Sequence, residues 1–399
     1  MNAAERKQIL SRGRTGLRWP GEPLLGGYYT DEEFEAVTRA MRDAMDPTVG
    51  FGFICREIEE FEAAFAAYCG THDCVTVNSA GTGLDMAMMC LDLQPGEEVI
   101  VPAINFRAAH LAVIGRGGRV VLGEVDPSTL NLDPNHVEAL MSPRTRAIFP
   151  VHMNGLAAPM DVYEEIAARH PHPTYGPPRV IGDAARACGG GYKGGKIGQI
   201  GWMNVFSFHT QKLMTTLGEG GAITVNDPAV ARRLRAIRQF GGETSWGSNY
   251  KLTKVQAAVG LVQLRRLDQM IAERRRVAQQ RNELLGGIPG LELPYEPPEC
   301  DHTYYLYTLL VPKEWAGRKR NRLLQILREQ YEVDTCLANP PVHTTFPFIA
   351  AHTQGQCLPL SEELGERLFC LPIHPRMTEG DNAYICAALW EAVEQVRSC

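Results

Sequence analysis

The chain predicts an α/β fold: a large, mostly parallel sheet domain followed by a smaller C-terminal α/β domain. Short apolar runs of strand type alternate with helical patterns as far as residue 225, the pattern of a parallel sheet covered by helices. The order changes after Gly286-Gly287-Ile288-Pro289-Gly290, a turn-rich stretch. The 399 residues are enough for two domains and a sizeable core.

Residues 30–47 begin with Thr30-Asp31-Glu32-Glu33, a capping pattern, and end at Pro47, which predicts a surface helix. Ile58, Phe61, Phe65 and Tyr68 recur at helical spacing up to Gly70. Cys74-Val75-Thr76-Val77 predicts the first buried strand, and an apolar helix through Leu84, Met86, Met88 and Leu91 follows the Ser79–Gly83 turn. Further strands are predicted at 98–102, 119–122, 147–151, 180–183, 205–208 and 221–225. Pro228 opens another helix, and a long helical stretch runs from Lys254 toward Leu285. A strand at 304–311, a helix at 318–329 and a terminal helix at 382–396 build the small domain. The division is drawn at 1–270 for the large domain and 271–399 for the small one.

The composition is that of a globular protein, with 44% apolar and 22% charged residues. A formal charge of −6 gives no reason to expect nucleic acid or an anionic membrane as partner. No apolar run reaches the roughly 18 residues of a membrane span, and no apolar stretch follows Met1–Lys7, so no secretory signal is expected. The 11 scattered cysteines show no metal-ligand spacing and suit free thiols in a cytoplasmic setting. Arg232, Arg233, Arg235 and Arg238 cluster on one helix, which reads first as a solvated face.

In the predicted parallel sheet, ligands bind at the carboxyl ends of the strands, and the chemistry-bearing residues fall there. Asp183 ends Val180-Ile181-Gly182-Asp183, and Lys212 ends Phe206-Ser207-Phe208-His209-Thr210-Gln211-Lys212, just before Gly218-Glu219-Gly220-Gly221. A lysine amine can condense with an aldehyde, and a buried carboxylate can keep a pyridine nitrogen protonated, so the pair suits pyridoxal 5'-phosphate (PLP). Asn78-Ser79-Ala80-Gly81-Thr82-Gly83 turns from a strand into a helix and can present backbone amides to a phosphate. Ser207 can add a hydroxyl to the same phosphate, and Phe106 can stack on the ring. Val49-Gly50-Phe51-Gly52-Phe53 is a loop whose two glycines permit motion or tight turns; it bounds the substrate space or is a plain surface connection between helices.

Over residues 22 to 397 the chain resembles the DegT/DnrJ/EryC1/StrS family, the sugar aminotransferases of fold-type I PLP enzymes. The resemblance rests on Pro95–Pro102, Ile148–His152, Gly182–Ala185, Phe206–Lys212, Gly218–Gly221 and Leu371–Pro375. It implies Lys212 as the residue that holds PLP, Asp183 at the pyridine nitrogen, Phe106 as the stacking aromatic and Ser207 on the phosphate. It further implies a homodimer in which Asn249, within Gly247–Lys251, reaches the phosphate of the neighbouring subunit. The family's phosphate turn reads closer to Ser-Gly-Thr-Ala-Ala, and here Ala80 and Gly81 take the place of the amide donors. Arg186 stands where the family often has glutamine or histidine, as a contact to the cofactor oxygen or to an acidic substrate group, or as one half of an outward salt bridge. Leu156 replaces a commonly polar residue.

The activity this implies is ping-pong transamination of a keto sugar, nucleotide-linked in the commonest family case, with glutamate or glutamine as donor. A cyclitol ketone is the rival acceptor. PLP-dependent sugar dehydration is a second alternative, against which Lys212 weighs, because such relatives can carry histidine there. A noncatalytic PLP-binding regulator is the third. No metal is implied.

Overall fold

The computed structural model describes residues 1–13, 19–243 and 245–398. Its central sheet has seven strands: β1 (Asp73–Val77), β2 (Glu98–Pro102), β3 (Arg119–Gly123), β4 (Thr145–Ile148), β5 (Arg179–Asp183), β6 (Met203–Ser207) and β7 (Gly221–Val225), in the order β1-β7-β6-β5-β4-β2-β3. Neighbours from β3 through β6 pair in parallel. β7 alone runs antiparallel to both its neighbours, β6 and β1. The cause is the connection: β6 returns into β7 through a loop with no crossover helix, which two antiparallel strands permit and two parallel strands do not. That loop carries Lys212.

Both faces of the sheet are covered, and Val99, Ile100, Val101, Val205 and Phe206 are fully buried. The covering helices used below are α2 (Asp31–Ala44), α3 (Arg56–Cys69), α4 (Ala80–Cys90), α5 (Pro228–Arg238) and α6 (Lys254–Leu285); α1 (Ala3–Ser11) lies elsewhere. Thr30 and Glu33 form the predicted capping box of α2, which ends at Ala44. The basic face of α5 is not simply solvated. Arg233 pairs with Asp92, Arg235 with Asp73 and Glu62, and the buried Arg238 with the buried Glu62 of α3. Glu62 Oε1 also accepts the Thr76 amide at 2.9 Å, so this cluster fastens β1 just ahead of the Asn78–Gly83 turn.

The small unit is a two-stranded antiparallel sheet, β8 (Tyr307–Leu310) and β9 (Leu368–Leu371), beneath α7 (Arg318–Tyr331) and α8 (Glu379–Arg397). Leu309, Leu323, Phe369 and Leu389 form its fully buried centre. It is richer in helix than in strand. Helix α1 packs here: Arg6 donates to Glu391 at 2.7 Å and to Glu394 at 2.6 Å on α8. The 270/271 division falls inside α6, which enters one core through Leu264, Leu267 and Met270 and the other through Val277, Ala278 and Leu285.

Candidate active site

The carboxyl ends of β1, β5 and β6 converge with the loop between β6 and β7. Ser79 caps α4, its hydroxyl taking the Thr82 amide at 3.2 Å and its carbonyl the Gly83 amide at 3.1 Å. The Ala80 and Gly81 amides find no acceptor among the described residues, as the first turn of a helix dictates. Gly221 sits across from Val77 on one side and Ser207 on the other. A Cβ on Gly221 would stand 2.8 Å from the Ala80 nitrogen, so only glycine lets the helix start come this close to the end of β6. Ala80, Gly81 and Ser207 are thus brought together, and the Ser207 hydroxyl accepts the His209 amide at 3.3 Å.

Asp183 is buried at the end of β5, and its carboxylate accepts the Ala185 amide at 3.1 Å. Burial raises its pKa, while that amide, Arg186, Lys212 and Asn105 favour the charged form. Asn105 lies toward the carboxylate, yet its Nδ2 completes no hydrogen bond and is a buried, unspent donor. The backbone of Asp183 is held by the His152 amide, which donates to its carbonyl at 3.0 Å. The Ala158 amide donates to His152 Nδ1 at 3.0 Å, so Nε2 carries the hydrogen and faces Asn204 Oδ1 at 3.3 Å. Burial pushes the imidazole down to about 4, keeping it neutral. Gly182 makes room for this pair, since a Cβ there would be 2.0 Å from Asn204 Oδ1.

Lys212 lies in a turn in which its amide donates to the His209 carbonyl at 2.9 Å. Burial, aided by the charge of Arg186, lowers its amine to about 7, against the opposing pull of Asp183 and Glu22. The amine donates to the Tyr305 hydroxyl at 3.2 Å, and that hydroxyl donates to Glu22 at 3.0 Å. Glu22 arrives on an N-terminal strap. The Gly26 amide donates to the Thr210 carbonyl at 3.0 Å, and a Cβ on Gly26 would lie 2.4 Å from the Lys212 carbonyl oxygen. The buried Arg274 of α6 donates to the carbonyls of Gly26, Tyr304 and Tyr305, clamping strap and tyrosine together.

Arg186 is buried and reaches Asn154 Oδ1 with Nη1 at 3.5 Å. The same oxygen accepts Asn339 Nδ2 at 3.0 Å, while Asn154 Nδ2 donates to Thr308 at 2.8 Å. Phe106 is half-exposed, and the Arg107 guanidinium lies 5.4 Å from its ring centre and 5.3 Å from that of Phe346. Asn249 is exposed and pairs through its backbone with Gln239; the next residue, Tyr250, accepts the Asn78 amide at 2.8 Å. The segment around Asn249 therefore borders the phosphate turn of its own chain. Cys188 is buried in the core.

Sequence reading did not single out Tyr305, Glu22, Asn105 or Asn154 for the site. Each is local in no motif. The only sequence signal is Asn154-Gly155, a turn dipeptide, and Asn154 does adopt φ 55°.

PLP fits these residues. Unclaimed amides at a helix start, a serine beside them, a buried carboxylate and a desolvated amine meet its phosphate, pyridine nitrogen and aldehyde. Fold and site together define a PLP-dependent aminotransferase of fold type I. The model of the DegT/DnrJ/EryC1/StrS aminotransferase family matches residues 30–390, and the chain belongs to that family. It is 36% identical over 355 residues to the GDP-perosamine synthase of Caulobacter vibrioides, covering 87% of this chain and 92% of the relative. It is 35% identical over 346 residues to the dTDP-3-amino-3,4,6-trideoxy-alpha-D-glucose transaminase of Streptomyces venezuelae, covering 85% and 88%. Among solved structures, DesV of S. venezuelae superposes with a TM-score of 0.83 at 34% identity, over 91% of this chain and 95% of that one.

Proposed function

We propose that this aminotransferase moves an amino group from glutamate or glutamine to the ketone of a nucleotide-linked sugar. The observation that carries the reaction is the desolvated Lys212 amine, held by Tyr305 across from the buried Asp183. The nucleotide-linked acceptor is supported by the printed names of the GDP- and dTDP-sugar relatives. PLP supplies an electron-withdrawing ring that stabilises charge when the substrate Cα–H bond breaks. Asp183 holds the proton on the ring nitrogen. Ala80, Gly81 and Ser207 bind the phosphate, and Phe106 covers the ring. Lys212 Nζ would carry the proton from the donor carbon to the C4' carbon of the cofactor, and back in the second half-reaction, with Tyr305 and Glu22 orienting the amine.

The working unit we propose is a homodimer with Asn249 completing the partner's phosphate site, in the reducing cytoplasm that the scattered thiols suit. The exposed Phe53, Phe240 and Trp246 near that segment support a covered face, Phe53 and Phe240 meeting edge to face at 6.4 Å.

Product mass spectrometry on a panel of nucleotide-linked keto sugars and free cyclitol ketones, with isotope-labelled glutamate and glutamine, tests the reading. An aminated nucleotide sugar carrying the label is expected. Amination of the cyclitols alone would move the assignment to that class. A product that has lost water without gaining nitrogen would make the protein a dehydratase. No turnover across the panel would leave a PLP-binding regulator.

A further inference from the structure

Arg186 is a buried cation that forms no direct ion pair among the described residues, although its charge is felt by the Asp183 carboxylate. It keeps 8% of its surface exposed, and no Asp or Glu among the described residues pairs with it. Its contacts are the long one to Asn154 and a position 5.8 Å from the Tyr305 ring centre. Burying a guanidinium without an anion is costly, so the arrangement is explained by a ligand that brings one. The neighbouring carboxylates are already engaged: Glu22 accepts from Tyr305, and Asp183 accepts from Ala185.

The holder of this arginine is built. Asn154 and Asn339 both adopt left-handed backbone conformations, at φ 55° and 62°, which non-glycine residues seldom occupy. Their side chains meet at 3.0 Å, joining the loop after β4 to the segment before residue 340. The charge of Arg186 reaches both Lys212 and Asp183.

This proximity has a chemical reading that rests on the proposed transamination. Lys212 moves a proton at the Cα of the amino donor. The α-carboxylate is bonded to that same carbon, so its receptor must lie beside Lys212. A sugar ketone carries hydroxyl groups next to its reacting carbon and places no such charge there. We propose that Arg186, steadied by Asn154 and Asn339, is the receptor for the α-carboxylate of the amino donor and makes the site select an α-amino acid over a simple amine. Arginine suits the task because its planar fork matches a carboxylate.

The test uses the PLP-loaded protein and two donors, L-glutamate and 4-aminobutyrate, which is glutamate without its α-carboxylate. Conversion of the bound cofactor is followed by absorbance in single turnovers. In Arg186→Gln the preference for glutamate over 4-aminobutyrate should fall about tenfold or more, through the glutamate concentration needed for half-maximal rate. Arg186→Lys should keep part of the preference. Calorimetric binding of 2-oxoglutarate should weaken in parallel. Equal losses with both donors would overturn the proposal. So would an unchanged preference with a shifted absorption band of the bound cofactor, which would assign the arginine to the ring. If the wild-type protein converts neither donor and does not convert glutamine, the proposed reaction fails, and 2-oxoglutarate binding by the wild type and by Arg186→Gln still decides the arginine's role.

Discussion

The amine of Lys212 and the hydroxyl of Tyr305 stand 3.2 Å apart, and the same hydroxyl donates to Glu22 at 3.0 Å. Three segments far apart in the chain thus meet at one proton-bearing atom. Tyr305→Phe keeps the ring beside Lys212 and removes only the hydroxyl. We expect the variant to fold, to bind PLP, and to transfer the substrate proton on the order of 10 to 100 times more slowly. Single-turnover rates with glutamate are the measurement, and an unchanged rate would remove the tyrosine from its role in orienting the Lys212 amine.

The lowered Lys212 pKa has two measurable consequences of defined sign. Capture of PLP by the cofactor-free protein needs the neutral amine, so its rate should rise with pH up to about 7 and then level off. A rate still climbing toward pH 10 would show an ordinary lysine. Because the folded-state pKa lies below the unfolded one, the unfolded chain binds more protons between about 7 and 10.5. Lys212 should therefore make the cofactor-free protein more stable as pH rises through that window, and Lys212→Met should flatten this dependence in denaturant titrations. Borohydride reduction followed by peptide mapping should place the bound cofactor on Lys212.

Asp183→Asn should separate activity from stability. The half-reaction should slow roughly 100-fold, or about 2.7 kcal/mol in barrier, once equal PLP occupancy is established. The raised pKa of Asp183 means that its stability contribution is lost as pH rises through the shifted pKa. The cofactor-free asparagine variant should therefore be at least as stable at pH 7 as the wild type. A rate near that of the wild type would remove Asp183 from its place at the pyridine nitrogen.

Two glycines offer a contrast. A Cβ at Gly26 would stand 2.1 Å from the Gln211 carbonyl oxygen and 2.4 Å from that of Lys212, whereas one at Gly115 meets nothing within 4 Å. Gly26→Ala should cost about 1 to 3 kcal/mol and loosen PLP, because backbone must shift against backbone. Gly115→Ala should stay within about 0.5 kcal/mol of wild type. Equal effects would show that the strap is not packed against the Lys212 turn.

Mixed dimers address Asn249. When one subunit carries Lys212→Ala and the other Asn249→Ala, a crossed arrangement leaves one intact site and one with both defects. With both substitutions in one subunit and a wild-type partner, each site has one defect. Greater activity in the first arrangement is expected, and equal activity at matched PLP occupancy would argue against a shared site.

Much of this was readable in the chain because it follows from short-range rules. The sheet strands show as apolar runs, Gly221–Val225 to the residue, and α6 shows as the long helical stretch from Lys254 toward Leu285. Asp183 stands out because it ends a strand, and Lys212 because it lies in the short stretch between the β6 run and the Gly218–Gly221 turn. The reversed direction of β7 was hidden, since an apolar run looks the same whichever way it pairs. Tyr305 and Glu22 were hidden for another reason. Both owe their place to Arg274, whose carbonyl partners come from two distant segments, and a buried arginine in a helix looks like a solvated one in sequence. The ion pairs of Arg235 and Arg238 were missed in the same way.

Helix α6 runs unbroken through both cores for 32 residues, about 48 Å at helical rise. A continuous helix packed into both cores resists bending, and Arg274 pins the strap to it near its middle. The two halves of the molecule then have no free hinge at this seam. On the proposed reading, admission of the acceptor should then fall to peripheral loops, such as the glycine-flanked stretch around Phe51.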